Sequence, residues 1–379
     1  MSSSLSRKSQ LLQVNKAYFP HLGGVESIVG QVAEGLNGRN RFTVEVLACS
    51  YAWNSCEESV NGVTVERAAT FGQLLRMPLS VDFFPRFRRL AVKADIILLH
   101  HPFPLGFAAA RLMARDRPLL VWYHSDIVRQ RISAAVAAPL WKSVLCAARR
   151  IFVSSRRLLA SSPVLRPFVQ KCAVVPFGVD FRRFDSTPSV ARAAAAIRAR
   201  YGRPLLLTVG RLVYYKGFEF LIGAMRGLNA SLLIVGTGPL ERKLIGLAGR
   251  LGVAGRVHII PPAADLLPYY HACDIFILPS IASSEAFGLV QMEAMACGKP
   301  VVNTSLPTAV PEVSVHGETG LTVPPADSDS LAEAIEKLLS DDRLRLRFGA
   351  NARARIEKQY CIDRFVSEVE REILAALYS

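Results

Sequence analysis

The pattern that most restricts the fold is a recurrence, in two halves of the chain, of short apolar runs separated by stretches of helical period. Residues 11–14 read as a first strand, with Gly23-Gly24 in the loop that follows it. Ile28, Val29, Val32 and Leu36 then return at helical spacing within 26–36. Further strands are predicted at 42–48, 95–99, 118–123, 150–154 and 173–175. The pattern restarts after Arg203, with strands at 205–209, 232–235, 257–260, 275–278 and 301–302. These alternate with helices at 217–225, 240–251, 266–272 and 287–296. Strands separated by helices imply parallel sheets covered by helices on both faces, so the fold class is α/β with two doubly wound units. An alanine- and arginine-rich helix at 188–201 reads as their connector. Ligands in such sheets bind beyond the carboxyl ends of the strands, so the chemistry is expected in a cleft that the two sheets face.

The remaining composition narrows the class. In 379 residues, 51% hydrophobic and 20% charged, there is core enough for two globular domains and no signature of disorder. No apolar run reaches the ~18 residues of a membrane span; His100, His101, Pro102, Pro104 and Pro118 interrupt the one after Asp95. The first eight residues lack a signal-peptide apolar segment, and the expected location is cytoplasmic. Seven cysteines without a Cys-x-x-Cys fit reduced, buried thiols better than disulfides or zinc. The net charge of +15 is uneven: residues 1–190 hold 25 Lys and Arg against 12 Asp and Glu, and the rest 21 against 19. A basic first half suits a polyanionic partner such as nucleic acid, anionic lipid headgroups or a diphosphate-linked substrate, with a solvated arginine-rich surface as the plainer alternative.

The segment that carries chemistry is Ser284-Glu285-Ala286-Phe287-Gly288-Leu289-Val290-Gln291-Met292-Glu293. It follows a buried strand and opens a helix, so Glu285 belongs at a strand's carboxyl end. The amides of Phe287, Gly288 and Leu289 are then free to hold an anion at a helix N-terminus. Gly288 lets a ligand approach the backbone, and Glu293, two turns on, can accept hydrogen bonds from a diol such as ribose. Alone, the two glutamates would be a capped helix with a solvated acid. A second loop, Val209-Gly210-Arg211-Leu212-Val213-Tyr214-Tyr215-Lys216-Gly217, follows the first strand of the second half. Arg211 and Lys216 bracket it, two cations suited to a diphosphate leaving group as its charge develops.

With these residues in place the chain resembles the retaining glycosyltransferases of family 4, which have the GT-B fold of two Rossmann-like domains facing a cleft. The resemblance rests on Gly23-Gly24, His124, Arg211 with Lys216, Val235-Gly236-Thr237-Gly238-Pro239-Leu240-Glu241 and the Glu285-x7-Glu293 pair, in the family's order along nearly the whole chain. A narrower resemblance, to bacterial mannosyl- and D-rhamnosyltransferases that build surface polysaccharides from GDP-sugars, rests on further segments. These are His101-Pro102-Phe103-Pro104, Trp122-Tyr123-His124-Ser125-Asp126-Ile127-Val128, Pro176-Phe177-Gly178, Val213-Tyr214-Tyr215-Lys216-Gly217 and Ser284-Glu285-Ala286-Phe287-Gly288.

The resemblance implies an acceptor-binding domain over 1–187, a connector over 188–203 and a nucleotide-sugar domain over 204–358. A last helix, within 359–379, packs back on the first domain. It implies that Arg211 and Lys216 bind the donor diphosphate, Glu285 the sugar hydroxyls and Glu293 the ribose. Phe287, Gly288 and Leu289, beside Ala286, offer amides; Gly210, Gly236 and Gly238 line the donor site; Ile260 and Pro261 lie beside the base. Pro261-Pro262 stands where a glycine is commoner, which removes backbone donors to the base. Gly23 and Gly24 offer backbone to the phosphate, Gly24 also reading as a plain turn glycine. His124 is placed near the donor sugar, with Asp126 either orienting it or capping the next helix. No carboxylate is evident for a covalent intermediate, so the resemblance points to front-side attack aided by the leaving phosphate. The reaction would then run on positioning and charge stabilisation. Asp327-Ser328-Asp329 looks like a metal-binding Asp-x-Asp but directly precedes a helical pattern, so a cap is expected there and no metal or other cofactor.

The donor implied is GDP-mannose or GDP-D-rhamnose, with a UDP-sugar as the alternative. The acceptor implied is a glycan, free or polyprenyl-diphosphate-linked. Arg86, Arg88, Arg89 and Lys93 form one basic cluster. Arg129, Arg131, Lys142, Arg149 and Arg150 flank a stretch holding Ile132, Val136, Leu140, Trp141, Val144 and Leu145. The second could rest on an anionic membrane surface at the inner face of the plasma membrane; the plainer alternative is a helix buried in its domain. A nucleic-acid-binding protein would interleave basic and aromatic residues along one face. Here the excess charge spreads over one half while a complete donor-site pattern occupies the other, so no nucleic-acid partner is expected.

Overall fold

The computed structural model describes residues 7–20, 23–74, 77–114, 116–126 and 131–378, with the helix at 131–137 described by its backbone alone. Two compact units emerge, one formed by Met1–Gly178 with Ile362–Ser379 and the other by Val179–Cys361. The chain passes between them at 178/179 and 361/362, displaced from the expected 187 and 358.

The first unit contains β1 (Ser9–Val14), β2 (Phe42–Cys49), β3 (Cys56–Val60), β4 (Val63–Ala68), the short antiparallel pair β5 (Gly72–Leu74) and β6 (Met77–Leu79), β7 (Ile96–His101), β8 (Leu119–Tyr123), β9 (Arg150–Val153) and β10 (Cys172–Val174). Its main sheet runs in the order β10-β9-β8-β7-β1-β2-β4-β3, parallel except for β3 against β4. The sheet is buried on both faces, which is why its central strands read as unbroken apolar runs rather than alternating ones. On one side the core gathers Phe83, Phe87, Phe103, Phe107, Trp141 and Leu145. The C-terminal helix Ile362–Tyr378 belongs to this unit. Gly35 in the helix Gly24–Asn37 has no side chain where Val366 packs, and Arg39 donates to Ser367 Oγ at 2.8 Å and Glu370 at 3.1 Å.

The second unit contains β11 (Leu205–Val209), β12 (Ser231–Val235), β13 (Val257–Ile260), β14 (Ile275–Leu278), β15 (Val301–Thr304) and β16 (Gly320–Val323), all parallel, in the order β13-β12-β11-β14-β15-β16. The helix Pro188–Tyr201 is part of this unit rather than a connector. Arg198 donates at 2.8 Å to the carbonyls of His271 and Ala272. The helix opening the glutamate segment spans Leu289–Ala296, two residues later than expected. Gly288 is left-handed at φ 73°, which holds Phe287 and Gly288 in the turn before it.

In each sheet the winding reverses beside the first strand: between β1 and β7 in the first unit, between β11 and β14 in the second. Loops leaving the carboxyl ends of adjacent strands diverge at such points and leave room for a ligand.

Candidate active site

The switch point of the second unit brings the two predicted loops together. Gly217 is left-handed at φ 65°, and a Cβ there would overlap the Pro279 carbonyl oxygen. Its lack of a side chain lets the loop after β11 lie on the segment after β14, where Ile281 N donates to Tyr215 O at 2.8 Å. Lys216 and Glu285, each 9% exposed, thereby meet: Nζ donates to Oε2 at 2.6 Å, and Ser280 Oγ donates to the same oxygen at 2.9 Å. Burial pushes the Lys216 ammonium down, but the adjacent Glu285 carboxylate outweighs it, and the net direction is up. Lys216 is therefore a charged cation already paired with Glu285, a contact that was not part of the sequence expectation. Arg211 is exposed and makes no ion pair among the described residues.

Behind this pair lies a buried polar frame. Gln291 donates to the carbonyls of Phe287 (2.9 Å) and Val310 (3.2 Å), and Asn303 donates to Gln291 Oε1 at 3.2 Å. These bonds fix the turn that carries Glu285 onto the helix. Ala286 O accepts from Ala309 N at 3.0 Å. Among the described residues, the amides of Gly288 and Leu289 donate to no protein acceptor, as expected of a helix start. Glu293 Oε2 accepts from Tyr270 OH at 2.6 Å. Burial raises its carboxyl above the ordinary range, against the lowering effect of that bond.

The glycines divide by role. Gly210, at φ 154°, lies under the Lys216 side chain. A Cβ on Gly236 would overlap the Gly210 carbonyl oxygen, and one on Gly238 would crowd Leu212 backbone. Packing of one loop on the other thus accounts for Gly236 and Gly238 without a ligand. Ile260 ends β13, its carbonyl accepting from Gly236 N at 2.9 Å, and Pro261 is exposed beyond it.

In the first unit Gly23 is the extended N-cap residue and Gly24 the first residue of the helix, not a loop glycine. A Cβ on Gly23 would overlap the Glu26 carboxylate, which lies 3.7 Å from Lys16 Nζ. An acid already sits at this helix start, where the phosphate was expected. His124 follows β8 and is 4% exposed; its Nε2 lies 2.9 Å from Nδ1 of His100, at the end of β7. His100 Nε2 lies 2.9 Å from Nε2 of Gln13 on β1. Burial, then the His100 and His101 rings and Lys16, push His124 well below the ordinary histidine range. Asp126 accepts from Tyr123 OH (2.5 Å) and Ser162 Oγ (2.7 Å) and makes no bond to His124 among the described residues, and the amides it was expected to cap lie outside them. Gln13, His100, Ser280 and Tyr270 carry no family motif. Their one signal was a polar residue inside, or just after, an otherwise apolar strand or helix.

The basic clusters are less free than their sequence suggests. Arg86 pairs with Asp82 and Glu66, and Arg89 with Glu66. Arg88 and Lys93 border a shallow hollow of about 580 Å³ with Phe84, Val92 and Met113. Arg149 donates to Ala376 O at 2.8 Å, and Arg150 pairs with Glu372 at 3.6 Å. Trp141, Val144 and Leu145 are core, so these three are not available to a membrane. Arg129 and the side chains of Arg131, Ile132 and Val136 lie outside the described residues. Asp327 caps the helix Ser328–Ser340, accepting from Asp329 N and Ser330 N at 3.0 Å. Of the free cysteines, Cys49 and Cys273 are buried but Cys56 and Cys146 are exposed. Among the described residues no helix is long and apolar enough to cross a membrane.

Two sheet units with polar residues gathered at their switch points give the chain the GT-B fold, and two family models make it a two-domain enzyme of the glycosyltransferase class. Residues 22–183 match the family model Glycosyltransferase Family 4 and residues 192–355 the model Glycosyl transferases group 1; the chain belongs to this family. It is 32% identical over 358 residues to D-rhamnosyltransferase WbpZ of Pseudomonas aeruginosa, covering 93% of this chain and 92% of that protein. It is 28% identical to O-antigen chain mannosyltransferase C of Escherichia coli, covering 94% and 96%. It is 30% identical to the GDP-mannose-dependent alpha-(1-6)-phosphatidylinositol monomannoside mannosyltransferase of Mycobacterium tuberculosis, covering 95% and 97%. Among solved structures it is similar to sucrose-phosphate synthase of Thermosynechococcus elongatus, with a TM-score of 0.80 at 24% identity over 97% of this chain and 100% of that one.

Proposed function

We propose that this chain moves a hexose, mannose or D-rhamnose, from a GDP-sugar to a glycan or polyprenyl-diphosphate-linked glycan in cell-surface polysaccharide assembly, with retention of anomeric configuration. The observation that carries the reading is the Lys216–Glu285 pair at the β11/β14 switch point, beside exposed Arg211. One Lys216 N–H is used by Glu285; the others, with Arg211 and the Gly288 and Leu289 amides, suit a diphosphate whose charge grows as the glycosidic bond breaks. Glu285 Oε1 is left for sugar hydroxyls, and Glu293 suits the ribose. The rhamnosyl- and mannosyltransferase relatives, one of them GDP-mannose-dependent, support the choice of donor. No metal or other cofactor is part of the proposal: Arg211, the Lys216 N–H groups not spent on Glu285 and the Gly288 and Leu289 amides are the partners it assigns to the diphosphate. The enzyme works in the cytoplasm, its basic first unit facing an anionic acceptor or membrane surface, with Arg88 and Lys93 as the available cations.

The test is a thermal-shift panel of GDP-mannose, GDP-D-rhamnose, UDP-glucose and UDP-N-acetylglucosamine. Transfer follows with the stabilising donor, with NMR of the product's anomeric proton and with a chelator present. Stabilisation by GDP-sugars, retained configuration and chelator-insensitive turnover are expected. Stabilisation by UDP-sugars alone would replace the donor, and an inverted product would remove the mechanism. Flotation with anionic vesicles tests the membrane face, and salt-insensitive absence of binding would remove it.

A further inference from the structure

The buried polar chain that ends at His124 has a direction. Gln13 on β1, His100 at the end of β7 and His124 after β8 lie on three neighbouring strands, at the point where the first sheet reverses its winding. Gln13 is fully buried, and its Nε2 faces two atoms: the Val29 carbonyl oxygen at 3.1 Å and His100 Nε2 at 2.9 Å.

A carbonyl oxygen is only an acceptor, so the Val29 contact settles which end of the amide stands there. Turned over, Gln13 would set Oε1 against the Val29 oxygen and strand both of its N–H groups. As placed, both N–H groups are used, and only Oε1 lacks a partner among the described residues. His100 Nε2 must therefore accept. Burial holds the His100 ring down to about 3, so it is neutral and carries its one proton on Nδ1. That proton points at His124 Nε2, 2.9 Å away, which must accept in turn. His124 is neutral as well, so its proton is on Nδ1, a nitrogen no group takes among the described residues.

We infer that Gln13 and His100 are positioning residues that lock His124 as its Nδ1–H tautomer, so that His124 meets a ligand as a hydrogen-bond donor and not as a base. Its only lone pair is already occupied by His100, which leaves nothing to abstract a proton. The group it serves is an oxygen of the bound substrate, either a sugar hydroxyl or a phosphate oxygen. This last step rests on the transferase reading above, whereas the tautomer does not.

The experiment is a long-range proton–nitrogen correlation spectrum of the ¹⁵N-histidine-labelled, full-length protein at neutral pH. His124 is assigned by the signals lost in His124→Asn. The expected pattern is a protonated Nδ1 and an unprotonated Nε2. A proton on Nε2, or a doubly protonated ring, overturns the inference. In Gln13→Met, which keeps the volume but removes both donors, the His124 nitrogen shifts should move toward the average of the two tautomers. An unchanged pattern there would remove Gln13 from the relay. Should that variant fail to fold, the wild-type spectrum decides alone. No donor sugar is present in the measurement, so it stands or falls apart from donor binding.

Discussion

Lys216→Met tests whether the pair at the second switch point is buried in energetic as well as geometric terms. The substitution keeps an unbranched chain in the slot and leaves Glu285 with Ser280 as its one polar partner. Both side chains are 11% exposed and their charged atoms are 2.6 Å apart. Removing one member of a buried pair costs about 3–5 kcal/mol, because the other charge stays desolvated. The Ser280 bond at 2.9 Å survives, which argues for the lower end, about 3 kcal/mol. For a unit of this size that corresponds to a fall in Tm of roughly 6–12 °C. The assay is calorimetry without ligand on Lys216→Met, Glu285→Leu and the double variant. Replacing both charges by apolar groups is often neutral, so the double variant should return to within about 1 kcal/mol of wild type, where two independent losses would sum to about 6 kcal/mol, a coupling of about 5 kcal/mol. It should nevertheless remain inactive, because it lacks the charge proposed to meet the donor. A single substitution that moves Tm by less than about 2 °C, or two effects that simply add, would mean that water screens the pair, and the reasoning fails.

Three further outcomes follow. His100 and His101, both buried and both held down to about 3 by desolvation, bind protons far more readily when unfolded, so stability is full above pH ~6.5 and is lost as pH falls. At pH 5 each costs about 2 kcal/mol; urea midpoints should drop accordingly, and His101→Phe should flatten the slope, a flat wild-type profile being the contrary result. Gly217→Ala places a Cβ on the Pro279 carbonyl at φ 65°, whereas Gly252→Ala at φ 69° meets nothing within 4 Å; the first should cost about 2–3 kcal/mol and the second about 1, and equal Tm losses would deny the close approach. Glu285→Gln leaves the Lys216 charge unneutralised, so calorimetric binding of GDP should be at least as tight as in wild type while sugar transfer collapses. A parallel loss of both would mean that Glu285 only holds the fold.

The strands of the second unit were legible because each is a short apolar run between turn signals, and burial on both faces of a parallel sheet leaves no alternation to confuse them. Strand β14, Ile275–Leu278, matches its expected bounds. The hairpin of β3 and β4 was also written in the chain, in Asn61-Gly62, both left-handed at φ 51° and φ 80°; an α/β reading that expects a helix after every strand has no place for it. The connector was illegible for a different reason. The Arg198 bonds that tie Pro188–Tyr201 to its unit end on backbone carbonyls, which carry no residue-specific signal. For the site, residue types at loop positions were readable but pairings were not. Nothing in the spacing of Lys216 and Glu285 says that they touch. That contact depends on Gly217 lying against Pro279, a meeting of two loops far apart in sequence.

That contact also changes how the site handles charge. An unpaired lysine and arginine would attract any polyanion to this unit. With Lys216 neutralised by Glu285, the standing excess is carried by Arg211 alone, on the exposed side of the loop. A diphosphate entering beside Lys216 does not have to break the pair, since the ammonium has three N–H groups and spends one on Oε2. In the proposed reaction the Lys216 N–H groups shift toward the leaving group as its charge grows, which leaves Glu285 the stronger acceptor for sugar hydroxyls. On that proposal the pair favours the transition state over the bound ground state, which is the only kind of interaction that accelerates a reaction. The Ser280 hydroxyl offsets part of the pair's desolvation through its bond to Oε2, and Gln291 and Asn303 brace the turn that carries Glu285, so the charges are held in place in advance.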